Sequence, residues 1–253
     1  MKVIEVKDYN EMSRKACSII LDTIKQLDNP ILGLATGSTP VKMYEYLIEA
    51  YERGEVSFKN VRSFNLDEYV GLSKHDPNSY RYYMEEKLFN HVDISPEHTH
   101  LPNGNALDLE QECRDYEEKV KEAGNVHVQV LGLGLNGHIG FNEPGTPFQS
   151  RTHVVDLADT TRRANARFFD SIDEVPSKAI TMGIGTIMES DRIILLVSGE
   201  KKAEALHKLI NGEVTEDFPA SVLQKHKDVV IIADGGACHR PRNLVSQNVS
   251  RMG

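Results

Sequence analysis

At 253 residues, 40% hydrophobic and 26% charged, the chain has the balance of an ordinary globular protein and enough apolar material for a sizeable core. A net charge of −9 argues against nucleic acid as the main partner, because counterion release needs a basic surface, but it leaves room for a small anion held by local cations. Cys17, Cys113 and Cys238 lie far apart with no CxxC pair, so neither a disulfide framework nor a zinc site is expected.

The opening stretch MKVIEVKDYNEMSRKA is charged throughout and lacks the apolar segment of a signal peptide. No apolar run reaches the ~18 residues that span a bilayer, so no membrane partner and a cytoplasmic location are expected. In chain order, EMSRKACSIILDTIKQL has helical period through Ile19, Ile20, Ile24 and Leu27. PILGLAT (30–36) reads as a buried strand, followed by the amphipathic VKMYEYLIEAYERG. NVRSFNL (60–66), VHVQVLGLG (126–134), DRIILLVSG (191–199) and DVVIIAD (228–234) are further strands, and EKKAEALHKLING is a helix ending at Gly212. Continuous apolar strands separated by helices predict an α/β fold, with a doubly wound, mostly parallel sheet covered on both faces. One domain over 1–240 with a C-terminal tail at 241–253 is expected. The region 67–105 is loop-rich and long enough to be a lid or active-site insertion. Within it Tyr80, Tyr82 and Tyr83 read as lid or core packing, and His91, His98 and His100 lack the spacing of metal ligands.

Gly132, Gly134 and Gly137 satisfy GxGxxG after a strand, which is the pattern of a dinucleotide loop. That mechanism needs a helix to open at the third glycine and meet the pyrophosphate. Here the chain continues HIGFNEPGTPF, and Gly140, Pro144, Gly145 and Pro147 would break a helix in its first turns. The better reading is an irregular loop at a strand's carboxyl end, presenting Asn136, His138 and Glu143.

Other strand ends offer matching chemistry. TGSTP supplies Gly37, Ser38 and Thr39 before Pro40, a capped helix start with free N–H groups suited to a phosphate. No GK[ST] follows, so it is not a Walker A loop. Asp67, just past the strand 60–66, suits a general base and could equally cap a helix. Lys201 and Lys202 lie in the first turn of a helix, where cations are disfavoured unless an anion is near. DTTRRANARFF places Arg162, Arg163 and Arg167 on a helix, and one of them can fork onto a phosphate. In an open parallel sheet these groups face one crevice, as an enzyme that moves protons on a phosphorylated small molecule requires.

With LATGSTP, FNLDEY, GLGLNGHIGFNEPG, SRTHVV, TRRANARFF and SGEKKAEAL in order, residues 1–236 resemble the glucosamine-6-phosphate deaminase (isomerising) family. The resemblance implies a modified Rossmann-like fold and, in amino-sugar catabolism, conversion of glucosamine 6-phosphate and water to fructose 6-phosphate and ammonia. It implies no metal and no organic cofactor. By motif, Asp67 would take the C2 proton and His138 would open the sugar ring, with Asn136 and Glu143 holding or tuning the imidazole. The phosphate would sit on Gly37, Ser38 and Thr39 with Arg167 and Lys202.

Two departures from the family pattern carry expectations. Many larger members have Asp where this chain has Asn136, which makes Glu143 the electrostatic partner of His138. Members regulated by N-acetylglucosamine 6-phosphate place basic residues after SRT, whereas this chain has His153, Val155 and Asp156. No such activation is expected, and the assembly expected is a monomer or small homo-oligomer rather than an allosteric hexamer. The alternatives are a 6-phosphogluconolactonase-like hydrolase, which shares TGSTP and GLGxxGH, and a sugar-phosphate sensor domain.

Overall fold

The computed structural model describes residues 1–239; Arg240 and the expected tail at 241–253 lie outside the described residues. The chain opens with β1 (Lys2–Val6), α1 (Tyr9–Gln26), β2 (Ile31–Leu34) and α2 (Val41–Glu52). Then come β3 (Arg62–Asn65), β4 (Asp67–Tyr69), α3 (Tyr80–Lys87), β5 (Thr99–His100), α4 (Leu109–Ala123) and β6 (Val128–Gly132). The remainder holds β7 (His153–Asp156), α5 (Asp159–Asn165), β8 (Lys178–Thr181), α6 (Ile184–Met188), β9 (Arg192–Val197), α7 (Ala203–Asn211), β10 (Val229–Asp234) and α8 (Gly235–Cys238).

Seven strands form a parallel sheet in the order β1-β10-β9-β6-β2-β3-β5. The chain builds outward from β2 through β3 to β5, then returns to the other side of β2 for β6, β9 and β10. Right-handed crossovers running in opposite directions lie on opposite faces of a sheet, which makes this a doubly wound fold and puts its switch point between β2 and β6. All five strands expected from the sequence are present, four trimmed at both ends and the last, β10, only at its start. Their runs are apolar because both faces are covered: Ile193, Ile194 and Leu195 in β9 and Ile231 and Ile232 in β10 are fully buried. Truncating one of these to Ala would cost about 2–5 kcal/mol. The helix α1 is oriented by its buried stripe of Met12, Ala16, Ile20 and Ile24, and it is started by Asp8, whose carboxylate accepts from Glu11 N at 2.9 Å.

A second sheet lies beyond what the sequence predicts. The strands β4, β8 and β7 pair antiparallel, with Asp67 opposite Thr181 and His153 opposite the same residue on the other side. These strands have only three or four residues, too few for a continuous apolar run to stand out. The region 67–105 is likewise structured: it contains β4, α3 and β5 rather than one long loop. The sequence reading also leaves β1 and α4 unassigned. Among the described residues, no helix is long and apolar enough to cross a membrane.

Candidate active site

The strands β9, β6, β2 and β3 are neighbours, so the segments leaving their carboxyl ends share one edge of the sheet. A cleft of about 660 Å³ opens there, lined by the turn 36–41, His138, Arg167, Lys202 and aromatic residues of α3. A recess of about 240 Å³ continues from it and is lined by Asp67, Gly134, His138, Gly140, Phe141 and Lys202. Ligand pockets commonly hold about 300–1,000 Å³, so the cleft suits a hexose phosphate. The convergence inferred from strand ends is therefore present, with Asp67 and His138 in the same recess. Asn136 and Glu143 line neither part and stand behind His138.

A second cavity of about 680 Å³, between α4 and Arg151, is lined by Glu117, Arg151 and Glu189. There Arg151 pairs with Glu117 at 2.9 Å and with Glu189 at 2.7 Å, so its charges satisfy one another. It lies apart from the converging strand ends.

The turn after β2 departs from the expected cap. Pro40 occupies the cap position of α2 and Val41 is the first helical residue, with no side-chain cap. Pro40 itself has no N–H, and the turn is held from outside by tyrosine hydroxyls instead of by its own Ser or Thr. Gly37 adopts φ +89°, a conformation an L side chain rarely takes, and this lets the chain reverse before the helix. Among the described residues nothing accepts a hydrogen bond from the N–H groups of Gly37, Ser38 or Thr39.

Asp67 opens β4 and is only 8% exposed. Burial, assisted by the neighbouring Glu68 carboxylate, pushes its pKa up to about 8. A carboxyl in that condition is a strong base once ionised, which is what proton abstraction beside a carbonyl asks for. Glu68 itself serves structure: its carboxylate accepts from Tyr69 N, Tyr80 N and Arg81 N, each at 2.9 Å, and so holds the start of α3.

The glycine-rich loop opens no helix after Gly137, which removes the dinucleotide reading. A Cβ at position 134 would lie 2.2 Å from His138 Nδ1, so only glycine lets the ring fold back over the strand end. Asn136 Oδ1 lies 2.8 Å from His138 Nδ1 and also accepts from His138 N at 3.1 Å. Asn136 Nδ2 donates to Glu143 Oε2 at 2.8 Å, and the nearer Glu143 oxygen is 3.9 Å from His138 Nδ1. The carboxylate can only accept from Asn136, which assigns the amide so that Oδ1 faces the imidazole. Nδ1 then keeps its proton and Nε2 is left with its lone pair. Burial lowers the His138 pKa, opposed by Glu143 and assisted by Lys202. The neutral, base-competent ring is thus favoured.

The expected helix-start lysines sit in a 3-10 turn, Glu200–Lys202, before α7 begins at Ala203. Lys202 Nζ donates to Leu133 O at 2.5 Å, and burial lowers its pKa. Lys201 is exposed and lines no part of the cleft. Gly212 does end α7, but in an extended conformation; its value is space, since a Cβ there would meet Lys208 O at 2.5 Å. Of the three arginines, Arg167 reaches the cleft, in a 3-10 turn just after α5. Arg162 instead donates to Ile172 O and Val175 O.

The sequence reading gives no role to Tyr9, Tyr69, Asn165 or Phe169, and gives Tyr80 and Tyr83 as lid or core packing. Tyr69 accepts from Asn165 Nδ2 at 2.9 Å, and its ring lies 4.7 Å from Tyr80 and 6.3 Å from Phe169. These aromatics come from β4, α3 and the segment after α5, and together they line one wall of the cleft. Tyr9 and Tyr83 contact the turn at Gly37–Thr39. No local signal marks them, because each acts across the fold.

The family model of glucosamine-6-phosphate isomerases/6-phosphogluconolactonase matches residues 7–232. The chain belongs to this family. Within the glucosamine-6-phosphate isomerase/6-phosphogluconolactonase family, the glucosamine-6-phosphate deaminase of Oceanobacillus iheyensis is 62% identical over 237 residues, covering 94% of this chain and 95% of the relative. Glucosamine-6-phosphate deaminase 1 of Bacillus subtilis is 55% identical, with 92% and 97% covered. A solved family member described as a monomeric glucosamine-6-phosphate deaminase superposes with a TM-score of 0.91 at 55% identity, covering 94% of this chain and 98% of its own. The 6-phosphogluconolactonase of Thermotoga maritima has a TM-score of 0.73 at 19% identity, with 92% and 99% covered, and shares the fold.

Proposed function

We infer that the chain is a glucosamine-6-phosphate deaminase, converting glucosamine 6-phosphate and water to fructose 6-phosphate and ammonia. The observation that carries this reading is the placement of a buried carboxyl base, Asp67, in one recess with an imidazole whose Nε2 is free. The phosphate rests on the N–H groups of Gly37, Ser38 and Thr39, with Arg167 and Lys202 supplying charge. His138 Nε2 takes the C1 hydroxyl proton and returns it to the ring oxygen, opening the pyranose to its aldehyde. Only then is the C2 hydrogen acidic enough for Asp67, which removes it to give the enolamine. Return of that proton at C1 leaves an imine at C2; water adds there and ammonia departs. Asn136 and Glu143 act through His138 as positioning residues.

The monomeric state described for the relative at TM-score 0.91 supports a monomer here as well. Sugar phosphates are held in the cytoplasm, and that is where this chemistry belongs. Ammonia and fructose 6-phosphate release from glucosamine 6-phosphate, run beside 6-phosphogluconolactone hydrolysis, tests the reading. Lactone hydrolysis without ammonia would overturn it, since ester hydrolysis has no use for a base aimed at C2.

A further inference from the structure

We propose that Tyr9 and Tyr83 are positioning residues for the phosphate, acting by clamping the carbonyls of the Gly37–Thr39 turn outward so that its amides face the cleft. This rests on the reading of that turn as the phosphate seat. Tyr83, from α3, donates its hydroxyl to Gly37 O at 2.6 Å. Tyr9, the first residue of α1, shares its hydroxyl proton between Ser38 O and Thr39 O, both at 3.0 Å. The Tyr9 oxygen in turn accepts from Lys42 N at 3.3 Å. Two helices distant in sequence thus grip three consecutive carbonyls.

A trans peptide is planar, and its C=O points opposite to the N–H of the next residue. Fixing Gly37 O on Tyr83 therefore fixes the Ser38 N–H on the other side, and fixing Ser38 O on Tyr9 does the same for Thr39 N–H. The third carbonyl, Thr39 O, precedes Pro40, which has no N–H to orient; the bond there anchors the end of the turn. Both oriented N–H groups lack a protein acceptor among the described residues, and Ser38 and Thr39 line the cleft. An anion then meets donors already aimed at it, without a reorganisation cost at binding. Without the clamp, a turn containing a glycine at φ +89° has alternative peptide orientations open to it.

Tyr9→Phe and Tyr83→Phe test the idea, because each removes a hydroxyl while the ring, such as the edge contact of Tyr83 on Tyr44, remains. Each should weaken inorganic phosphate, titrated against the full chain by phosphorus NMR line width, about three- to tenfold, the worth of one neutral hydrogen bond. KM for glucosamine 6-phosphate should rise in step while kcat holds, and because both hydroxyls hold one turn the double variant should depart from the product of the two effects. Unchanged phosphate affinity and KM with a lowered Tm would overturn the proposal and leave packing as the role. A fall in kcat at constant KM would overturn it as well. The phosphate titration needs no turnover, so it reads the clamp even where the unsubstituted chain released no ammonia, the result that would instead defeat the deaminase reading.

Discussion

Glu143 determines which way round Asn136 sits: its Oε2 takes the amide N–H₂ at 2.8 Å, so the amide oxygen is the atom turned to His138. The carboxylate therefore controls the imidazole tautomer at one remove, through a neutral side chain. A direct carboxylate partner would also favour the imidazolium cation. Here the cation meets Glu143 only at 3.9 Å, and burial dominates to keep the ring neutral.

Asn136→Asp should reverse that balance. A charge against Nδ1 raises the His138 pKa, so the ring becomes a free base only at higher pH, and the acid limb of kcat/KM should move up by about one unit. The pH profile and an NMR titration of His138 measure it; an unmoved limb would show that His138 is not the titrating base.

Asp67→Asn should lower turnover by about 10²–10⁴-fold, the usual worth of a positioned proton acceptor. The substitution keeps the shape, so binding of fructose 6-phosphate should stay within a few-fold. Steady-state rates beside calorimetric binding check both, and persistent activity would assign the base elsewhere.

The same carboxyl should mark the stability curve. Its folded pKa of about 8 lies above the ordinary value of 3.8, so the stability it contributes is complete below about 4 and lost as pH rises through about 8. Asp67→Asn removes this slope. Thermal melts should find the variant more stable than the native chain at pH 9, with the gap shrinking as pH falls toward 4.

Lys202→Ala removes a cation from the cleft wall and its bond to Leu133 O. Hydrogen bonds to charged groups are worth about 1.5–3 kcal/mol, so KM should rise roughly ten- to a hundredfold with kcat little changed. An unaltered KM would take Lys202 out of the phosphate seat.

N-acetylglucosamine 6-phosphate should leave the rate curve hyperbolic and unshifted. On the face beside β7, Asp156 already pairs with Lys178 at 2.6 Å, and Arg151 is held by Glu117 and Glu189. Neither cation is free to receive a second phosphate. Rate measurements across substrate concentration, with and without this sugar, would expose activation as a leftward shift.

The sequence alone determined the parallel sheet and the irregular glycine-rich loop after β6, and the reason is local. Strands such as IILLV and VVIIA are buried on both faces, so hydrophobicity is written into them residue by residue. The loop 133–145 likewise carries its chemistry in adjacent letters, where glycines and prolines forbid the helix that a dinucleotide would need. Asp67 and the turn at Gly37–Thr39 were legible because a position just past a buried strand in an α/β sheet faces the crevice. Only the tertiary structure decided the antiparallel sheet that carries Asp67, the aromatic wall of Tyr69, Tyr80 and Phe169, and the grip of Tyr9 and Tyr83 on the turn. Tyr9 and Ser38 are separated by 29 residues and Tyr83 and Gly37 by 46, and no spacing rule joins them. A hydroxyl meeting a carbonyl across such distances is fixed by how helices pack on the sheet, and helix packing depends on the whole core at once.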